Sequence, residues 1–275
     1  MSTTEKALIF QRCHRRNQPL IVPNPWDAGS AKVLAALGFE ALATTSAGLA
    51  FSLGKRDAEG ALSRDEVLEN ARCIVEATDL PVSADLENGF GDSPEEVAYT
   101  IHAAAKVGLV GGSIEDATGQ LNRPLYDFNH AVERVAAGVE AARSLPFPFV
   151  FVARAENYIC GRPDLDDTLR RLIAFQEAGA DVLFAPGLPD LETIRLVCDA
   201  LEKPVNVVMG LSGCAFTVDE LAHAGVQRIS LGSSLARAAL GAFIRAAEEV
   251  KNNGTFSFAD SAISFADANR LMTRR

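Results

Sequence analysis

Short, nearly uninterrupted apolar runs recur along this chain. Each is followed by a longer stretch in which apolar residues return every three or four positions. The runs lie at 20–24, 40–46, 80–86, 110–115, 149–153, 181–185, 205–209 and 228–231. Continuous rather than alternating hydrophobicity is what a parallel strand covered on both faces requires. The stretches between them predict helices over about 28–37, 63–77, 94–107, 129–144, 165–178, 191–201, 217–224 and 234–251, with a further helix over 5–17 ahead of the first strand. Ser63-Arg64-Asp65-Glu66 has the spacing of a capping box. Gly38, Gly108, Gly179 and Gly225 each stand where a helix must stop before the next strand.

Eight strand–helix units predict an α/β fold, a single-domain (β/α)8 TIM barrel spanning 1–275. A doubly wound open sheet is the alternative, but no GxGxxG follows the first strand. Residues 255–275 exceed what a barrel needs and carry Phe256, Phe258, Ile263, Phe265 and Leu271. They predict a C-terminal helical extension with an apolar face. Such a helix packs on a neighbouring subunit, so a homo-oligomer, dimer or tetramer, is expected.

Composition narrows the function. The formal net charge is −10, from 26 Lys+Arg against 36 Asp+Glu, with no basic cluster, so nucleic acid is not an expected partner. The five cysteines show no CxxC spacing, which argues against a disulfide framework or a zinc site. No apolar run is long enough for a membrane span and the N-terminus lacks a signal pattern, so a cytoplasmic protein is expected.

Candidate chemistry gathers where strands end. In a TIM barrel the C-terminal strand ends form the active face. The third strand delivers Asp85 and Glu87, the fourth Glu115 and the fifth Arg154, while the loop after the second brings Asp57. If the third strand extends far enough, Asp85 and Glu87 point to the same side. Facing carboxylates repel unless a cation lies between them, and all-oxygen ligands suit a hard cation such as Mg²⁺. An anionic, oxygen-rich substrate would bridge the metal and Arg154. The backbone N–H groups near Ser46, Ala47 and Gly48 could hold a carboxylate. No histidine falls at a strand end, so none is assigned a catalytic role.

Six segments in order carry a resemblance: 24–31 (NPWDAGSA), 44–50 (TTSAGLA), 52–54 (SLG), 85–91 (DLENGFG), 114–116 (IED) and 153–156 (ARAE). Together they make the chain similar to the isocitrate lyase / phosphoenolpyruvate mutase (PEP phosphonomutase) superfamily, from about residue 20 to 190. The resemblance implies a (β/α)8 barrel, usually a homotetramer with a helix swapped between subunits. It implies Mg²⁺ (or Mn²⁺) and a 2-oxo acid or its enolate. It makes Asp85 the direct metal ligand, with Asp57, Glu87 and Glu115 reaching the metal mostly through water. Arg154 would stabilise the oxyanion, and Ser46, Ala47 and Gly48 would hold the substrate carboxylate.

Departures from the family pattern limit the reading. The Lys-Lys-Cys-Gly-His loop of the lyase branch is replaced by residues 116–127, which hold no cysteine. This argues against isocitrate or methylisocitrate lysis. Asn122 is the match to the loop asparagine of the mutase branch and is taken as catalytic. Asn157, just past Arg154, is taken as a substrate contact that replaces a lost one. The expected function is a Mg²⁺-dependent enzyme cleaving or rearranging a C–C or C–P bond of a small 2-oxo acid through a pyruvate-type enolate, as a lyase, hydrolase or mutase. The alternative is a protein that binds a 2-oxo dicarboxylate with little or no turnover.

Overall fold

The computed structural model describes residues 1–15, 18–57, 60–211 and 215–273. Cys214 and Gly213 lie outside them, as do the last two residues of the C-terminal extension. The strands are β1 (Leu20–Val22), β2 (Leu42–Ala43), β3 (Val82–Asp85), β4 (Gly111–Glu115), β5 (Val150–Arg154), β6 (Val182–Phe184), β7 (Val205–Val208) and β8 (Arg228–Ser230). All are parallel, in the order β1-β8-β7-β6-β5-β4-β3-β2. The helices are α1 (Thr3–Cys13), α2 (Ala28–Ala36), α3 (Ser46–Ser52), α4 (Arg64–Ala77), α5 (Pro94–Lys106), α6 (Phe128–Arg143), α7 (Leu165–Glu177), α8 (Leu191–Asp199), α9 (Val218–His223), α10 (Ser234–Asn253) and α11 (Phe265–Met272). The chain is a TIM barrel. Among the described residues no helix is long and apolar enough to cross a membrane.

Caps predicted from sequence set the helix ends. Ser63 accepts from Glu66 N–H while Glu66 reaches back to Ser63 N–H, closing the capping box of α4. The segment at 44–48 departs from expectation. The second strand stops at Ala43, and Thr45 N-caps α3, so Ser46, Ala47 and Gly48 form a first helical turn rather than a strand end.

Register shows which side chains share the barrel interior. Leu20 pairs with Arg228, Arg228 with Asn206, Asn206 with Phe184, Phe184 with Arg154 and Arg154 with Glu115. Residues two apart on a strand share a face, so Ser83, Asp85, Val152, Val208 and Ser230 face inward as well. Alternate residues such as Ile229, Leu183 and Ala153 pack outward against the helices. Phe10, Ala7 and Cys13 of α1 close the N-terminal end of the interior core, beside Leu20, Val110 and Val150. Burying a side chain the size of Phe10 stabilises by about 1.5–3 kcal/mol.

The sheet has one seam. β1 and β2 form no ladder, but Ala43 N–H donates to Pro23 O at 3.1 Å. Asn24 completes the closure: its amide NH2 donates to Thr44 O (2.8 Å), and its Oδ1 accepts from Leu231 N–H (2.8 Å) and Gly232 N–H (3.0 Å).

Both C-terminal helices leave apolar side chains uncovered: α11 buries none of its residues, and Phe265 is 87% exposed. α11 lies against α2, with Lys32 Nζ donating to Met272 O at 2.6 Å. The eighth barrel helix, α10, buries none of its residues, and Phe243 is 69% exposed.

His14, at the floor, generates a pH prediction. Burial, and then the Arg228 charge, push its imidazole down to about 3. Nδ1 lies 2.8 Å from Phe10 O and so carries the proton, which leaves Nε2 facing Arg228. The unfolded chain takes up a proton near pH 6.5 and the folded chain only near pH 3. The stabilisation from a neutral His14 is therefore complete above about pH 6.5 and is lost as pH falls below it, by at most about 1.4 kcal/mol per unit. Urea unfolding at pH 7.5 and pH 5 should show the wild type losing about 2 kcal/mol more than His14→Gln. Equal losses would mean that His14 is protonated in the fold.

Candidate active site

The barrel mouth is built around one guanidinium. Arg154 ends β5 beside Glu115, its register partner at the end of β4. Arg154 Nη1 donates to Asp85 Oδ1 at 2.9 Å and Nε to Glu156 Oε1 at 2.9 Å, while Nη2 lies 3.1 Å from Glu115 Oε2. Its side chain is 15% exposed, and its charged carbon sits 5.2 Å from the Phe184 ring centre. The other oxygen of Asp85 accepts from Ser46 N–H (3.1 Å) and Ser46 Oγ (2.7 Å). Asp85 N–H donates to Thr44 Oγ1 at 3.0 Å, so β2, α3 and β3 fix this carboxylate jointly.

Glu87 is not on the strand. β3 ends at Asp85, and Glu87 has φ +47, a conformation that favours glycine. Expecting Asp85 and Glu87 to alternate along one strand was therefore wrong in its geometry. Glu87 still comes close, because its carbonyl accepts from Glu115 N–H at 2.9 Å and its N–H points at Asp85 Oδ1 at 3.4 Å. The turn that follows is held from outside. Buried Arg134 of α6 donates to the carbonyls of Asn88, Gly91 and Asp92 and stacks on Tyr126 at 4.2 Å.

Negative charge exceeds positive here. Asp57, Asp85, Glu87, Glu115 and Glu156 surround Arg154. Burial, reinforced by Asp85 and Asp57, pushes the Glu87 carboxyl up to about 7 against the pull of Arg154. Burial pushes Glu115 well above the usual carboxylate range, with Glu156, Asp85 and Glu87 adding to it and Arg154 opposing it. Like charges that cannot all ionise cheaply mark a functional cluster.

A cavity of about 200 Å³ opens beside this cluster. Ser46, Ala47, Asp57, Asp85 and Arg154 line it. Gly48 sits behind that lining: a Cβ there would lie 2.6 Å from Thr45 Cγ2 and 3.0 Å from Trp26 Cβ, so the position has room only for glycine. Gly48 N–H is taken by Thr45 Oγ1 at 3.2 Å. Glu87 and Glu115 do not line the cavity either. Among the described residues no three His, Cys, Asp or Glu side chains converge on one point as metal ligands. The oxygens of Asp85 are instead engaged by Arg154 and Ser46.

The structure does not bring Asn122 or Asn157 to the cavity. Asn122 is exposed on the loop after β4 and lines a separate surface depression with Arg123 and Arg162. The loop doubles back on itself through Thr118 N–H to Pro124 O (2.9 Å) and carries Leu121 fully exposed. Asn157 lines the same depression and donates to Asp167 Oδ2 at 2.9 Å. The amide NH2 of Asn157 serves α7, while its buried Oδ1 has no hydrogen-bond partner among the described residues.

Sequence reasoning missed the platform beneath Arg154. Asp116 Oδ1 accepts from Glu156 N–H (2.8 Å) and Asp116 Oδ2 from Arg171 Nη1 (3.0 Å), while Arg171 Nε reaches Asp167 at 2.7 Å. The signal was there: Arg171 lies on the face of α7 that also carries Thr168, Leu172 and Phe175. An arginine on an apolar stripe needs a buried acid. Burial pushes Asp116 up to about 6 despite Glu156 N–H and Arg171.

The sequence profile of the phosphoenolpyruvate phosphomutase family matches residues 10–251. This chain belongs to that family. It is 31% identical over 261 residues to the 2-methylisocitrate lyase of Escherichia coli K12, covering 92% of this chain and 85% of the lyase. A Burkholderia cenocepacia J2315 protein, whose activity is given only as lyase/mutase, is 55% identical. Its crystal structure superimposes with a TM-score of 0.96 over 99% of this chain and 97% of that one. The crystal structure of 2,3-dimethylmalate lyase, described as a PEP mutase/isocitrate lyase superfamily member, gives a TM-score of 0.87 at 27% identity, over 98% of this chain and 95% of that one. The chain is thus an enzyme of this family.

Removing the platform's cation should be costly. Arg171→Leu leaves Asp116 buried without its partner, an expected loss of about 3–5 kcal/mol. Urea unfolding at pH 7.5 measures it, and a loss under about 1 kcal/mol would show that the platform is not structural.

Proposed function

We propose that this chain is a Mg²⁺-dependent (or Mn²⁺-dependent) enzyme that cleaves or rearranges a bond next to the carbonyl of a small 2-oxo acid, through a pyruvate-type enolate. The observation that carries the reading is one guanidinium, Arg154, held by three carboxylates at the mouth of a cavity of about 200 Å³.

The residues present suit a hard divalent cation. The donors are all oxygens, which Mg²⁺ prefers. Their crowding raises Glu87 and Glu115, a penalty that a dication would relieve. Asp85 would be the direct ligand, with Asp57, Glu87 and Glu115 grouped around it. When bound, such an ion supplies Lewis-acid polarisation of the substrate carbonyl. Arg154 Nη1 donates to Asp85 Oδ1 at 2.9 Å, a contact that would open if Asp85 turned into the cavity. That would free an N–H of a pre-positioned guanidinium for the substrate's developing oxyanion. Glu156 and Glu115 keep the other guanidinium nitrogens in place. The first turn of α3, at Ser46, Ala47 and Gly48, would receive the substrate carboxylate, with Ser46 N–H and Oγ released from Asp85 in the same rearrangement. Phe184 and Val152 keep the pocket wall apolar, which strengthens these contacts.

A second reading, binding of a 2-oxo dicarboxylate with little or no turnover, is favoured by one observation. Among the described residues, neither Asn122 nor a cysteine lines the cavity to handle a proton. A Mg²⁺-supplemented assay against 2-oxo acids, 2-hydroxy diacids and phosphonopyruvate, read by NMR, decides between them. Turnover of at least one compound, cut about 10²–10³-fold in Arg154→Met, is the expected outcome. Calorimetric binding without any product favours the second reading. Asp85→Ala should abolish calorimetric Mg²⁺ binding, and retained binding would remove Asp85 from the metal site.

We also infer a homo-oligomer, dimer or tetramer, whose contacts cover the apolar face of α10. Light scattering should give a mass of at least twice the 29.3 kDa chain. Phe243→Glu combined with Ile244→Glu should shift it toward the monomer. An unshifted mass places the interface elsewhere.

A further inference from the structure

The cavity does not end at the carboxylates. It continues inward past Ala43, Val152, Phe184 and Val208 to Asn206, Arg228 and Ser230. Arg228 opens β8 and faces the interior, 4% exposed. The other enclosed guanidiniums of the site each have oxygen partners: Arg154 has three carboxylates, Arg171 has Asp116 and Asp167, and Arg134 has three carbonyls. Arg228 has none. Its hydrogen-bond partner is Nε2 of neutral His14, at 3.4 Å, and it lies 5.6 Å from the Phe10 ring centre. Its Nε–H finds no acceptor, and neither does the chain supply a donor to Oδ1 of buried Asn206 on the neighbouring strand. The Asn206 amide NH2 donates to Ser230 Oγ at 3.0 Å, which leaves the Ser230 O–H free to turn inward. Burial lowers Arg228 only to about 10, so it keeps its charge at neutral pH.

A fixed, unpaired positive charge in an apolar barrel is unstable unless an anion meets it. Among the described residues no carboxylate pairs with Arg228, yet five crowd the mouth. We infer that Arg228, with the hydroxyl of Ser230, forms an anion-binding site at the inner end of the cavity, taking a small monovalent anion such as a carboxylate or halide. Two sources share this chemistry: a free ion, and the far carboxylate of a diacid whose other end lies at Arg154. The apolar waist of Val152, Phe184 and Val208 would then fit the carbon chain between them. The site is independent of metal binding at the mouth.

The test uses the full chain without divalent metal. Chloride-35 NMR line broadening is titrated with sodium chloride, and crystals are soaked in sodium bromide for anomalous diffraction. Saturable broadening is expected, with a bromide peak within hydrogen-bond reach of Arg228. Arg228→Met should weaken chloride binding by about ten- to a hundredfold. Because that variant removes an unpaired buried charge, its melting midpoint in chloride-free buffer should not fall, which separates lost binding from lost folding. Ser230→Ala is a milder variant expected to weaken binding less. Displacement of bromide by succinate but not by acetate supports the diacid source. Displacement by both, or by neither, supports a free-ion site. Ordered water alone between Arg228 Nε and Asn206 Oδ1, with no bromide peak and no saturable broadening, overturns the inference.

Discussion

One asparagine amide, beside a single backbone bond from Ala43 N–H to Pro23 O, closes the barrel. Asn24 ties the end of β1 to the carbonyl of Thr44 and to the two N–H groups that follow β8. Without that seam the sheet would be an open, twisted ribbon, and residues of β3, β4 and β5 would not share an enclosure with those of β8. Closure also fixes parity, because a one-residue slip on any strand would turn its inward side chain outward. The convergence of Asp85, Glu115 and Arg154 is a consequence of topology first and of side-chain chemistry second.

Given closure, the site is governed by an unequal distribution of charge. Carboxylates outnumber cations at the mouth, and the single arginine there is anchored by a second tier. Asp116 orients Glu156 through its backbone, Glu156 orients Arg154, and Arg171 neutralises Asp116. This tier keeps the guanidinium plane in place when one of its partners leaves. The floor has the opposite sign, so the cavity runs from an acidic rim to a basic end through an apolar middle.

The fold was largely legible in the sequence. Eight apolar runs, glycine stops and capping residues gave the strand order and helix ends to within a few residues. What was not legible was local. Residues 44–48 read as strand because Thr and Ser suit both states, and only Thr45 bonding to Gly48 N–H reveals a helix start. Glu87 looked like a strand residue because periodicity cannot register a single positive φ. The site was half legible. Asp85, Glu115 and Arg154 could be placed at the mouth from strand ends alone, and Ser46 from its neighbourhood. Asn122 and Asn157 were placed by position in sequence, whereas the loop after β4 folds back on itself and α7 claims Asn157 through Asp167. The roles of Asn24 and Arg228 were overlooked because a polar residue in a short apolar run reveals its partner only after closure, and that of Arg171 because its helical stripe called for an acid without naming Asp116.

Trp26 is the sole tryptophan of the chain. Its carbonyl is held by Asn70 at 2.9 Å, and its Cβ lies where a side chain at Gly48 would have to go. Trp26 therefore lies against the first turn of α3, the segment that would let go of Asp85 if the mouth rearranged. Its emission is a built-in optical gauge of that turn, with no competing indole elsewhere. Stopped-flow fluorescence on the unlabelled protein can thus time events at the rim separately from any chemistry that follows.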